Sequence, residues 1–192
     1  MAGKQTKIYF SDKILIIAIF VIFLFIGCTS HKILTLMPTP VIYQNSTIDP
    51  FAHLTMAQKS TKTHIFFATN RALKASKDRI GYGNTLDSII HLGEATIRIG
   101  DSNSKWDDLY KSSLSIEQIK PIPLALERIV EVAVMPTKTV LSNKNLTPEL
   151  QEFVDSINSE LAKVIDKEII VYVHGTKVDF ENSTILTAEI DY

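Results

Sequence analysis

Glu168-Ile-Ile-Val-Tyr-Val-His-Gly-Thr-Lys-Val-Asp-Phe-Glu-Asn182 is the stretch from which the fold of this chain can be predicted. Its apolar run, Ile169 to Val173, is nearly continuous and rich in β-branched residues, which is typical of a strand buried on both faces of a parallel sheet. His174-Gly175 ends the run, because glycine interrupts strand periodicity and permits a sharp turn. Asp179 is a good N-cap for a helix predicted from about Phe180 to Ile190. A strand, a glycine-containing loop and a helix N-terminus form a common anion-binding arrangement in α/β proteins.

The same stretch resembles a known family of enzymes. Val171-Tyr-Val-His-Gly175, followed by Phe180-Glu-Asn182, is similar to the oxyanion strand of α/β hydrolases and, more narrowly, of the bacterial α/β-hydrolase family DUF900. The resemblance covers roughly Met37 to Tyr192. It implies an α/β fold with a three-layer, α/β-hydrolase-like sheet, which here stops before the nucleophile elbow, and an ester or related acyl substrate.

The resemblance also assigns roles to three loop residues. His174 and Gly175 support the oxyanion loop, and the backbone amide of Thr176 would donate to the oxyanion. The family usually has Tyr-Asn after His-Gly, whereas this chain has Thr176-Lys177. Two further interpretations of His174 stay open: a structural hydrogen bond across the end of the sheet, or a general base, which would need a nucleophile within reach.

No such nucleophile is recognisable in the sequence. A hydrolase of this kind needs Gly-x-Ser-x-Gly, followed along the chain by an acid and a histidine, but no two of the seven glycines are four residues apart. The glycine positions also exclude the phosphate-binding loop and the dinucleotide fingerprint. The five histidines include no pair at helical metal-ligand spacing, and a single cysteine offers no zinc site. We therefore expect no metal and no cofactor. Any nucleophile would first be sought among serines near Trp106: Ser102, Ser104, Ser112 and Ser113.

The N-terminal residues predict a membrane anchor. A lysine-containing start precedes an uninterrupted apolar run from Ile14 to Ile26, the pattern of a secretory signal. Phe25-Ile26-Gly27-Cys28 resembles a bacterial lipobox, so residues 1–28 are predicted to be a signal peptide and lipoprotein anchor with lipidation at Cys28. As a helix, the run to Cys28 would be about 22 Å long, short of the roughly 30 Å hydrocarbon core. An uncleaved transmembrane anchor is the alternative, and a buried core helix is a third.

The remaining chain is predicted to form a tether, residues 29–60, and one globular domain, residues 61–192, the N-terminal part of an α/β-hydrolase-like domain. Strands are predicted at His64–Arg71, Leu92–Gly100 and Arg128–Val134, the second half-exposed and antiparallel. Thr147-Pro148 opens a helix. Its apolar residues share one face: Leu150, Phe153, Val154, Ile157, Leu161 and Val164.

Two functions follow as expectations. The first is the N-terminal portion of a membrane-anchored hydrolase, located in the cell envelope with its domain facing the periplasm or exterior. The complete enzyme would act on a small ester, and this chain alone would be inactive. The second is a non-enzymatic envelope lipoprotein that serves as a binding or scaffold module. The net charge of −1 comes with no basic stripe, so nucleic acid is not expected as a partner.

Overall fold

The computed structural model describes residues 33–44, 49–56, 58–74, 80–115, 120–139, 146–164, 167–175 and 177–192. The predicted anchor, including Cys28, lies outside these residues. Within them, the chain forms three strands and four helices, in this order: α1 (Val41–Gln44), β1 (Lys62–Leu73), β2 (Tyr82–Ile99), α2 (Trp106–Ser113), β3 (Leu124–Pro136), α3 (Pro148–Leu161) and α4 (Phe180–Asp191).

The sheet is antiparallel throughout, in the order β1-β2-β3. Ile65 of β1 pairs with Ala95 of β2, and Ala95 pairs in turn with Ile129 of β3. The prediction of a three-layer α/β-hydrolase-like sheet is therefore wrong. Strands that follow one another along the chain can pair antiparallel directly, whereas a parallel pair needs a crossover connection between its strands. The three predicted strands are present, each longer than the sequence pattern indicated.

The segment predicted as a central strand is not in the sheet. Ile169 to Val173 has no regular secondary structure, and its side chains are largely exposed, with 63% exposure at Ile169 and 84% at Val173. The physical reason is that an apolar run indicates that burial is favourable but does not determine which strand will pair with it. Among the described residues, no strand lies beside this segment.

Helix α4 covers one face of the sheet, and helix α3 contacts the other. On the α4 face, Ile97 and Ile99 are fully buried, at 0% and 1% exposure. Their cluster includes these side chains: Ile65, Phe67, Tyr82, Ala95, Leu124, Leu126, Phe180, Ile185 and Ala188. On the α3 face, the buried cluster is smaller and consists of Leu92, Ala133, Met135 and Leu150.

Irregularities in strand pairing decide which face each β3 residue joins. The register shifts between Leu92–Ala133 and Gly93–Glu131, so Val132 is an extra residue in β3. Such a bulge re-aims the side chains on either side of it. As a result, Glu131 contacts the α4 face, while Ala133, two residues later, packs on the α3 face. Gly93 is required here, since a Cβ would lie 2.1 Å from the Val130 carbonyl oxygen.

Both long helices begin as the sequence predicts. Thr147 caps α3 by accepting from the Leu150 amide, and Asp179 caps α4. The predicted apolar face of α3 is less buried than expected, since Leu150 is its one buried residue. Trp106 and the two acidic residues after it start helix α2. None of the helices within the described ranges has the length and hydropathy needed to cross a bilayer.

Candidate functional site

The predicted oxyanion loop forms a hydrogen-bonded turn. The His174 ring donates from Nδ1 to the carbonyl oxygen of Gly175 at 2.9 Å, and the Val178 amide donates to the same oxygen at 3.2 Å. A Cβ built on Gly175 would meet no atom within 4 Å. Glycine is therefore not needed here to permit a close approach of another atom.

The residue predicted to donate to an oxyanion, Thr176, lies outside the described residues, so its role stays a prediction. His174 is half-buried and bonded to its neighbour. No serine or cysteine hydrogen-bonds its ring in the part of the chain that the structure describes. The ring closes its own loop in this contact, and within the described residues it makes no hydrogen bond across the end of the sheet.

Arg71 fastens this loop to the sheet. Arg71 is buried, with only 8% of the residue accessible to solvent. One guanidinium nitrogen donates to the Gly83 carbonyl at 3.2 Å and to Asn84 Oδ1 at 2.7 Å. The other donates to the Val178 carbonyl at 2.6 Å. Arg71 therefore joins β1, β2 and the loop before α4.

Helix α4 begins directly after this anchor. Asp179 accepts from the Asn182 backbone amide at 2.7 Å and from the Asn182 side chain at 2.8 Å. Phe180 then packs into the sheet, with its ring 5.0 Å from that of Phe67 and 4.7 Å from that of Tyr82. The end of the loop is thus held by a buried cation, a helix cap and an aromatic cluster.

A second polar cluster lies on the same face of the sheet. Glu131 Oε2 accepts from the Tyr82 hydroxyl at 2.9 Å and from His91 Nδ1 at 2.6 Å. His91 is buried, at 3% exposure. Burial, and then the hydrogen bond to Glu131, raises the pKa of the Tyr82 hydroxyl well above its usual range. At neutral pH, therefore, Tyr82 is a hydrogen-bond donor and Glu131 is its acceptor.

The other ring nitrogen of His91 has no hydrogen-bond partner. Nε2 is buried without a partner among the described residues, and Asp87 Oδ2 lies 3.8 Å away. The pairing of β1 with β2 changes from Arg71–Leu86 to Thr69–His91, so β2 advances five residues while β1 moves two. This irregularity of β2 brings Asp87 close to His91. The result is an imidazole oriented by a carboxylate, which is the supporting half of a base–nucleophile pair. Among the described residues, no hydroxyl or thiol is hydrogen-bonded to the His91 ring, and the ring is shielded from solvent.

Sequence reasoning missed this cluster, although part of the signal was present. His91 and Gly93 continue the alternation of Ala95, Ile97 and Ile99, so burial of His91 could have been predicted from period-two spacing. The position of Glu131 could not, because the bulge at Val132 sets the face on which it lies.

The alternative nucleophiles are not brought to a histidine. Ser104 Oγ accepts from the Asp101 amide at 2.9 Å, and Ser113 Oγ shares a hydrogen bond of 3.1 Å with the Tyr192 hydroxyl. Ser102 is exposed and Ser112 is half-buried. None of these contacts would activate a serine, since activation requires an adjacent base.

Within the described ranges, no group of three His, Cys, Asp or Glu side chains is arranged to bind a metal ion.

Comparison of the chain with protein-family models, curated proteins and solved structures finds no match. From the contacts described above, the candidate site consists of the loop from His174 to Val178, its Arg71 anchor and the N-terminus of α4.

Proposed function

We propose that this chain is the membrane-anchored N-terminal portion of an acyl hydrolase, and that it has no catalytic activity by itself. One observation carries the proposal: the loop after His174-Gly175 is fastened by the buried Arg71 guanidinium through the Val178 carbonyl. Loops that stabilise a developing oxyanion must be rigid before the reaction, because reorganisation during the reaction would cost rate.

The charge of Arg71 supports the same proposal. Its three acceptors in the described ranges are uncharged oxygens, namely Gly83 O, Asn84 Oδ1 and Val178 O. A buried cation close to a loop favours negative charge developing there. The antiparallel sheet does not support the proposal, which therefore depends on the loop alone.

The expected inactivity follows from what acyl transfer requires. A nucleophile, its base and oxyanion donors act as a unit, and loss of the first two leaves weak residual catalysis. The 192-residue chain should neither hydrolyse a short aryl ester above background nor react with a fluorophosphonate probe. Covalent labelling of this chain would overturn the proposal, and the labelled residue would identify a nucleophile among side chains that here have structural contacts.

A longer product of the same gene provides the positive test. If the DNA downstream of Tyr192 encodes Gly-x-Ser-x-Gly in frame, the extended product should hydrolyse the ester and lose activity when that serine is replaced. In that product, Arg71→Gln should lower kcat by more than about tenfold with little change in KM, because the loop loses its anchor. Arg98→Gln is the matched control, since Arg98 pairs with Glu127 at the sheet surface. A downstream sequence without a nucleophile motif would contradict the proposal.

A second candidate function is a non-enzymatic envelope lipoprotein that acts as a binding or scaffold module. The observation that favours it is the exposed run Ile169–Val173, since an apolar segment in solvent often marks an interaction site. Downstream DNA with a stop codon, together with no ester hydrolysis by any product, would favour this function over the first.

A further inference from the structure

The chain that follows the predicted anchor is fixed to the sheet almost as soon as the described residues begin. The Leu124 amide donates to the Leu34 carbonyl, and the Leu36 amide donates to the Ile122 carbonyl, both at 2.8 Å. Leu36 is also buried in the core on the α4 face. From Leu34 onward, the chain is therefore fixed to the domain at the start of β3.

Very little chain separates this fixed point from the predicted lipidation site. Five residues, 29–33, lie between Cys28 and Leu34. Even when fully extended, the chain from Cys28 to Leu34 spans only about 20 Å. A chain anchored at Cys28 therefore keeps the start of β3 within about 20 Å of the bilayer.

The start of β3 lies at one end of the sheet, which we call the proximal end. Leu124 pairs there with Ile99 of β2, and Asp191, at the end of α4, accepts from the Thr63 hydroxyl at the start of β1. Arg71 lies eight residues further along β1 than Thr63, about 26 Å away at the usual rise of a strand. The end of the sheet that contains Arg71 is the distal end.

The segment that contains α1 is held at the proximal end on both sides. Before α1, the Met37 amide donates to the Glu189 carboxylate, near the end of α4. After α1, the Phe51 ring packs against the Tyr192 ring, with 5.5 Å between the centroids. Because the chain leaves and returns at the same end of α4, α1 belongs to the proximal end.

Large apolar side chains are exposed on this segment. Val41 and Ile42, which are neighbours in α1, are 70% and 67% exposed, and Met37 is 60% exposed. Exposed apolar residues of this size mark an interaction surface when they are grouped. Next to a lipid anchor, such residues can insert at the boundary between the head groups and the acyl chains of a membrane.

We propose that the proximal end of this domain docks on the lipid bilayer through Met37, Val41 and Ile42. The bilayer is the occupant because the short connection to Cys28 keeps this end of the sheet beside it. The proposal rests on the membrane anchor of the proposed function, and it does not depend on hydrolase activity. In the docked orientation, the loop anchored by Arg71 faces away from the bilayer, so a substrate would reach that loop from the aqueous side.

Fluorescence quenching by brominated lipid tests the proposal on the full chain, reconstituted in vesicles of phosphatidylethanolamine and phosphatidylglycerol. The wild type supplies the signal of Trp106, the only tryptophan, which is subtracted. In Val41→Trp, the added fluorescence should fall by more than about half when the acyl chains are brominated, because inserted residues lie about 5–10 Å into the boundary region. Leu86→Trp is the matched control and should be little quenched, since Leu86 is 72% exposed but pairs with Arg71 at the distal end.

A second substitution tests whether the quenching depends on insertion. Adding Ile42→Asp to the Val41→Trp chain should remove most of the quenching, because a carboxylate opposes entry of its neighbour into the membrane. Flotation with the vesicles and circular dichroism check that each variant is bound and folded. If Val41→Trp does not fold, Met37→Trp takes its place with the same expected result.

Equal quenching at the proximal and distal positions would overturn the proposal, as would quenching that Ile42→Asp leaves unchanged. A wild-type chain that does not float with the vesicles would overturn both the docking and the anchor. A failed test of ester hydrolysis leaves the docking in place, and equal quenching leaves the proposed hydrolase function in place.

Discussion

Replacing Glu131 with alanine should destabilise this protein far more than replacing a second glutamate on the same strand. Glu127 and Glu131 both lie on β3, and their side chains are 28% and 27% exposed. They differ in their partners. Glu127 pairs with Lys62 and Arg98 at the surface, with side-chain exposures of 48% and 23%, whereas Glu131 accepts from buried Tyr82 and His91.

The magnitude follows from the donors left behind. Glu131→Ala orphans two buried donors, and each unsatisfied donor costs about 1–3 kcal/mol. Because the Glu131 side chain is 27% exposed, water can satisfy part of this loss, so we expect about 2–4 kcal/mol in total. Glu127→Ala removes surface ion pairs and should cost about 0–1 kcal/mol. Glu131→Gln keeps an acceptor oxygen and should recover part of the loss.

Urea unfolding of the full chain in mild detergent, followed by circular dichroism and Trp106 fluorescence, measures these differences. Unchanged m-values would show that stability, and not the extent of unfolding, has changed. If Glu131→Ala and Glu127→Ala differed by less than about 0.5 kcal/mol, the burial of the partners would not be what decides the cost, and the reasoning would be refuted.

Three further predictions concern the core, pH and the anchor. Phe180→Ala should lower the free energy of unfolding by about 3–5 kcal/mol, because it leaves a cavity between Phe67 and Tyr82. Phe153→Ala should cost less, because Phe153 is only half-buried. Equal losses of stability in urea unfolding would contradict this prediction. Because burial raises the pKa of Tyr82, the Tyr82 hydroxyl loses its proton at a lower pH in the unfolded chain than in the folded one. Stability should therefore fall as pH rises above about 10, and it should fall less steeply in Tyr82→Phe. Identical slopes of stability against alkaline pH would count against this prediction. A fatty-acid analogue should label the wild-type chain but not Cys28→Ser, and equal labelling of both would remove the lipoprotein prediction.

The loop of the candidate site was partly predictable. The sequence located His174-Gly175 after an apolar run and before a helix capped by Asp179, and the cap and the helix are confirmed. The anchor of this loop was not predictable, because Arg71 and Val178 are 107 residues apart and meet only once the sheet and α4 have packed. The buried Tyr82–His91–Glu131 cluster was missed for the same reason, since its members come from two strands.

Local features of this fold could be inferred from the sequence by itself: three strands from their apolar patterns, α3 from Thr147-Pro148, and α4 from Asp179. These features depend on contacts within a few residues, so the local pattern contains them. Only the tertiary structure decided which strands pair, that Ile169–Val173 stays outside the sheet, and that the bulge at Val132 directs Glu131 toward His91. Distant segments compete to pair with the same strand edge. The free energy of pairing depends on both strands, so the local sequence of one strand does not determine its partner.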